Sequence, residues 1–246
     1  MIQDLGIFWP ALVAGLLVAA THVPLGIQVL NRGIVFIDLA VAQIAGLGVI
    51  LGDWLGFEHH GAAAQIFALG AALGGALLLN WTERRWPQVQ EAIIGVIFIL
   101  AANAGILLLA ANPHGAEHLK DLLAGQILWV GPGALPLVAL ASAAILTAWW
   151  WLRERFFYVL FACAVTVSVQ LVGIYLVFAT LIVPALATRQ LARARVPVCY
   201  LLAVLGYGTG LALSAATDLP AGPLIVCTLS ALGILFFLTF RPRIPT

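Results

Sequence analysis

The stretch Leu171-Val-Gly-Ile-Tyr-Leu-Val-Phe-Ala-Thr-Leu-Ile-Val-Pro-Ala-Leu-Ala-Thr-Arg189 is apolar enough to lie in a bilayer, yet it carries a glycine, a threonine and a proline and ends on an arginine. A helix that only anchors a chain in lipid has no use for such punctuation. A segment that moves or lines a path does, because Pro184 removes an N–H and frees a backbone carbonyl that another group must satisfy. The rest of the chain reads as the housing for this segment and its partners.

Composition points to the same class. Of the 246 residues, 63% are hydrophobic and 9% charged, with a mean hydropathy of +1.11, whereas a soluble domain carries about 25% charged residues. Several runs reach the ~18–20 apolar residues that cross a hydrocarbon core. The alternating segments of a transmembrane β-barrel are absent. The expected fold is therefore all-α, a polytopic membrane protein forming one integral-membrane domain over 1–246. Met1-Ile-Gln-Asp-Leu has no basic n-region, so no cleavable signal peptide is expected. Cys163, Cys199 and Cys227 lie in apolar runs without paired spacing and read as small packing residues. The sequence holds no phosphate-binding glycine loop, no basic nucleic-acid patch and no Ser/His/Asp set.

Apolar runs fall at roughly 8–30, 34–52, 61–81, 92–111, 134–152, 156–188, 197–216 and 221–240, with a short piece at 122–130. Cytoplasmic loops carry the excess of Lys and Arg. With the N-terminus outside and the C-terminus in the cytoplasm, Arg32, Arg84, Arg85, Arg153, Arg155, Arg189, Arg193, Arg195, Arg241 and Arg243 all fall inside and only Lys120 outside. That orientation makes 156–188 cross an even number of times. A straight helix there would be about 50 Å long, too much for one ~30 Å core and too little for two comfortable spans. A break near Ser168-Val-Gln170-Leu-Val-Gly173 resolves the conflict, giving about nine transmembrane helices, or seven plus a re-entrant hairpin.

The ionisable residues cluster in two places. Outside the membrane lie Asp53, Glu58, His59, His60, His114, Glu117, His118, Asp121 and Asp218. Imidazole and carboxylate suit zinc and manganese, and a helical turn would put His114 and His118 on one face beside Glu117. A solvated polar loop accounts for the same residues. Within the membrane, Asp38, His22 and Glu91 mark ion or substrate paths. Asp38 and Glu91 also fit helix starts, where an acid complements the dipole, and His22 fits a bond to the carbonyl freed by Pro24. Gln43 is a neutral polar group inside the second span. Gly46, Gly48, Gly95, Gly105, Gly206, Gly208 and Gly210 suggest close helix packing.

These residues resemble the membrane-spanning permease subunits of ABC-type zinc/manganese importers. Residues 171–187 are similar to that family's Val-Gly…Leu-Leu-Ile-Ile-Pro-Ala-Ala-Thr-Ala pattern. Asp218-Leu-Pro-Ala-Gly-Pro223 is similar to its Asp-x-Pro-x-Gly-Pro. Glu91-Ala-Ile-Ile-Gly95 and Asp121-Leu-Leu-Ala-Gly-Gln-Ile-Leu128 resemble its fourth-span start and its Leu-Phe-Gly-x-Leu-Leu segment. The resemblance implies a permease, with no permanently bound cofactor, that passes zinc or manganese across a bacterial cytoplasmic (inner) membrane. It implies a homodimer, a cytoplasmic ATPase through which alone ATP acts, and an extracytoplasmic metal-binding protein. Asp38, Gln43 and His22 become the candidate metal ligands within the membrane, and His59, His60, His114, Glu117 and His118 those outside.

Two departures separate the chain from that pattern. The family's second span carries Asp-x-x-x-His, and here Asp38 is followed by Ala42 at that spacing, with Gln43 next. The family's cytoplasmic Phe-Asp-Pro-Glu-x-Ala segment after the fifth span is missing, since Arg153-Glu-Arg155 runs straight into Phe156-Phe-Tyr. The second departure leaves open a transporter or channel of the same fold that works without an ATPase. A distant alternative comes from His114-Gly-Ala-Glu117-His118, which has the H-x-x-E-H spacing of a zinc peptidase, although Pro113 and Gly115 disfavour the rigid helix such a site uses.

Overall fold

The computed structural model describes residues 2–57, 62–109, 123, 125, 127–152, 156–191 and 193–240, with the side chains of 2–7 left aside. Among them the chain is helical and without strands. The helices are α1 (Ile2–Arg32), α2 (Ile37–Trp54), α3 (Ala62–Arg85), α4 (Gln90–Leu109), α5 (Leu135–Leu152), α6 (Phe157–Val172), α7 (Ile174–Ala187), α8 (Arg195–Thr217) and α9 (Ala221–Thr239). Short 3-10 turns occupy Pro87–Val89, Ile127–Trp129 and Pro132–Ala134. Among the described residues seven helices are long and apolar enough to cross a membrane: α1 to α5, α8 and α9. The other two, α6 and α7, have 16 and 14 residues.

The break between α6 and α7 falls at Gly173, the last residue of the expected interval. Gly173 adopts φ 81° and ψ 163°, a region that side chains with a Cβ avoid. Its carbonyl accepts the Val177 N–H and starts α7. Gly125 lies against the Val172 carbonyl and leaves no room for a Cβ, so a second glycine seats the loop on the break.

The chain divides into two compact units. The first comprises Met1–Arg32, Ala124–Ser142 and Leu171–Thr246. Within it α1 packs on α7 and α8, α8 on α9, and α9 on α7. Lipid gives helices no hydrophobic reason to associate, so close approach and interhelical hydrogen bonds hold them. At Gly26 a Cβ would collide with the Leu181 carbonyl, and Gly206 and Gly210 admit Leu229 and Ile225 of α9. Tyr207 is fully buried over Gly15 and its hydroxyl lies 2.8 Å from Thr180 Oγ1.

Pro24 inside α1 and Pro184 inside α7 each draw hydrogen bonds from other residues, and Pro24 does so differently from what the sequence suggests. Pro24 leaves the Ala20 carbonyl open, one turn back. His22 does not take it. The Tyr200 hydroxyl of α8 donates to it at 3.0 Å, while His22 Nδ1 faces Val18 O and Thr21 Oγ1, each at 3.0 Å. Around Pro184 the end of α7 is tied down. Thr188 Oγ1 donates to Pro184 O at 2.8 Å and Cys199 Sγ to the same carbonyl at 3.3 Å. The Arg195 guanidinium reaches Ala185 O at 3.2 Å and Asn31 Oδ1 at 3.3 Å.

The second unit comprises Gly33–Leu123 and Ala143–Gln170. In it α2 packs on α3 and α4. Gly48 meets the Phe67 carbonyl of α3, and Gly75 of α3 meets Ile44. Gln90 Nε2 donates to Leu79 O at 3.0 Å, and the Gln65 and Gln170 amides are bonded to one another. Two of the packing glycines expected from sequence are otherwise: Gly95 and Gly208 have nothing within 4 Å of a built Cβ. Cys199 is a buried packing residue as expected, but Cys163 is partly exposed and Cys227 exposed.

This contrast is testable. Gly26→Ala overpacks the α1–α7 contact, where forcing in a methyl costs about 1–3 kcal/mol, and it should lower the detergent-solubilised melting temperature by several degrees. Gly95→Ala should leave that temperature unchanged or raise it. Equal behaviour of the two variants would show that α1 and α7 do not approach as closely as described.

Candidate functional site

Asp38 stands in the first turn of α2 and is 1% exposed. Its position follows from local sequence. Gly33, at φ 70°, ends α1 behind Arg32, and Phe36 is the N-cap of α2. The carboxylate meets the backbone N–H groups of Leu39 and of its own residue, as an acid at a helix start does. That accounts for part of the group only. Oδ1 is buried and has no hydrogen-bond partner among the described residues.

Glu91, in the first turn of α4, stands beside it. Its Oε1 accepts the Phe36 N–H at 3.2 Å and so caps α2 from another helix. Its Oε2 is buried with no hydrogen-bond partner among the described residues. The two carboxyl groups lie within electrostatic range of one another. A buried polar atom without a partner costs free energy, so the N-terminal turn of α2 holds an uncompensated demand for positive charge or donors.

The residue one helical turn along from Asp38 on the same face is Ala42, 1% exposed. Gln43 is partly buried. Five residues beyond Asp38, it points about 140° round the helix from it. The structure therefore does not put Gln43 on the Asp38 face of α2.

His22 belongs to the first unit and is fully buried in α1. Val18 O can only accept, so the proton sits on Nδ1. Nε2 is left as a bare lone pair, buried and without a hydrogen-bond partner among the described residues. A neutral imidazole in this tautomer can ligate a cation or accept a proton. No group of three or more His, Cys, Asp and Glu side chains comes together among the described residues. His59, His60, His114, Glu117 and His118 lie outside those residues.

Sequence reading marked Glu91 as an intramembrane acid but left it out of the candidate metal ligands, because it also fits the start of its own helix. What gives it weight is the cap on α2, a contact between residues 55 apart in the chain, which no local pattern announces. The signal that was available is an acid at the start of a very apolar helix.

Replacing Asp38 by Asn keeps the shape and removes a charge that has incomplete compensation. The variant should melt at the same temperature as the parent or higher, since removing an uncompensated buried charge is neutral or stabilising. A fall of several degrees would reveal a cationic partner for Oδ1.

Comparison with known proteins adds three kinds of finding. A model of the ABC 3 transport family matches residues 4–161 and 154–240. The high-affinity zinc uptake system membrane protein ZnuB of Haemophilus influenzae is 24% identical, over 93% of this chain and 96% of that protein. The manganese transport system membrane protein MntC of Halalkalibacterium halodurans is 26% identical, over 95% and 87% respectively. Among solved structures, PsaBC from Streptococcus pneumoniae in complex with Fab superimposes with a TM-score of 0.76 at 20% identity, covering 94% of this chain and 91% of that one. The last comparison bears on the fold.

Proposed function

The chain belongs to the ABC 3 transport family, and from that premise we propose that it is the membrane-spanning permease subunit of an ABC-type transporter for a divalent metal ion. The observation that carries the proposal is the family match along nearly the whole chain, joined to a buried and incompletely partnered Asp38 in an apolar span. The names of two relatives, a zinc uptake protein and a manganese transport protein, support zinc or manganese as the cargo. Membership in a transport family favours transport over the zinc-peptidase alternative at His114 to His118.

In this proposal residues 1–246 act as one permease domain in a bacterial cytoplasmic membrane, with the N-terminus outside and the cluster Arg189, Arg193 and Arg195 in the cytoplasm. The chain supplies the path and binds no resident cofactor. A cytoplasmic ATPase supplies the energy, an extracytoplasmic metal-binding protein delivers the cargo, and a second copy of the chain completes the channel. The usual Phe-Asp-Pro-Glu-x-Ala segment is missing, so the ATPase needs another contact. The turn between α7 and α8 suits it, because Arg195 anchors that turn to the ends of α1 and α7. The alternative of the same fold working without an ATPase is separated by co-purification. An ATPase subunit that stays bound in detergent supports the ABC assembly.

Asp38 is proposed to line the route, and Gln43, about 140° round α2 from it, and His22, in the first unit, are each proposed as path residues apart from it. Asp38→Ala should abolish radiotracer zinc or manganese uptake while the protein remains folded and membrane-inserted. Normal uptake by a folded Asp38→Ala variant would remove Asp38 from the path.

His59, His60, His114, Glu117 and His118 are proposed as a capture site at the outer mouth. Replacing His114 and His118 together by Ala should raise the metal concentration for half-maximal uptake and leave the maximal rate largely intact. Capture needs unprotonated imidazole, so parent uptake at low metal should fall as pH drops through about 6.5. If the double variant follows the parent's metal and pH curves, the loops take no part in capture.

A further inference from the structure

Asp38 Oδ1 and Glu91 Oε2 are the two carboxylate oxygens of the second unit that are buried without a hydrogen-bond partner among the described residues. They come from the first turns of α2 and α4, helices that pack together. Glu91 cannot swing away without giving up the Phe36 N–H. Each acid keeps one oxygen on a backbone donor and offers the other. The i+4 position on the Asp38 face is Ala42, which brings no ligand atom.

We propose that Asp38 and Glu91 together form a cation subsite in which every protein donor is a carboxylate oxygen, and that it makes this chain a carrier for hard divalent cations of the manganese kind. The proposal rests on the permease reading above and adds the second ligand and the cargo class. Carboxylate, carbonyl and water oxygens suit manganese and magnesium, whereas imidazole suits zinc. Two carboxylates also cancel the charge of a divalent ion, which a single acid in a low-dielectric interior does not. A cation between them would satisfy both orphaned oxygens at once. Gln43 points elsewhere around α2, so water completes the coordination sphere.

The test uses the full-length chain, purified in detergent and stripped of metal, with manganese alone as the probe. Free manganese is read by its electron paramagnetic resonance signal. The parent should bind one manganese per chain. Glu91→Gln keeps the Phe36 cap, since its amide oxygen still accepts, and Asp38→Asn keeps the side-chain shape. Each should weaken manganese binding on the order of tenfold or more, the lower bound seen when even outer partners of a metal site are changed. Ala42→His should tighten zinc more than manganese.

Parent-like manganese binding by both acid variants, or a parent that binds zinc and no manganese, would overturn the subsite. That failure is distinct from failure of the permease reading. If Glu91→Gln binds as the parent does while the parent still transports metal, the permease stands and the subsite falls. If the parent binds manganese through the two acids but carries no metal into cells, the subsite stands and the permease falls.

Discussion

A bilayer offers no hydrogen bonds, so each backbone group that a helix leaves open must be met inside the protein. Most of what is particular in the first unit answers that constraint. Pro24 opens the Ala20 carbonyl and Tyr200 closes it from α8. The last turn of α7 spills carbonyls that Thr188, Cys199 and Arg195 collect. At the end of α8 the Ser214 hydroxyl takes the Leu219 carbonyl at 2.7 Å, where Asp218 turns through φ 56°. Each bond would contribute little in water, but an unmet group in hydrocarbon costs several kcal/mol. The helix ends and prolines are therefore also the points where α1, α7 and α8 are fastened together.

The second unit obeys the same rule along most of its length and relaxes it in one place. Gly48 and Gly75 let α2 and α3 close on one another without polar help. Gln90 turns its amide nitrogen to Leu79 O. At the first turns of α2 and α4, Asp38 and Glu91 each keep an oxygen with no donor among the described residues. A chain under selection for stability alone would have filled that spot with apolar side chains, since replacing buried charge by packed hydrocarbon is neutral or better. In the proposed reading, ionisable groups kept within a span mark the path of an ion, and a local rule broken without structural gain fits a functional site.

The parts of the fold that follow from length and hydrophobicity were open to sequence reading. Seven long spans and the break of 156–188 at its glycine come from counting residues against a ~30 Å core. Asp38 was legible for the same reason, as a charge where charges are costly. The role of His22 was not. The bond expected of it belongs to Tyr200, a residue 180 positions away from Ala20, and only the path of the chain brings them together. The glycines divided in the same manner. Gly206 and Gly210 face a neighbour and Gly208 does not, because helical phase is visible in a sequence while the partner helix is not. Glu91 was visible as a helix start, and its cap on another helix was hidden.

That cap gives the site a mechanical consequence. Phe36 ends the short turn that begins at Gly33, where the chain passes from the first unit to the second. The N–H that Glu91 holds is one of the first open donors of α2. A cation drawn to Oε2 pulls on the same carboxyl group that fixes this turn through Oε1. An apolar residue at 91 would leave the turn to find another acceptor, and a lone Asp38 would hold cargo without reporting it to the chain's crossing point. In the proposed subsite one side chain would serve as cap and as ligand and so couple occupancy to the geometry of residues 33–36. It also explains why an acid that opens its own helix is spent on the start of a different one.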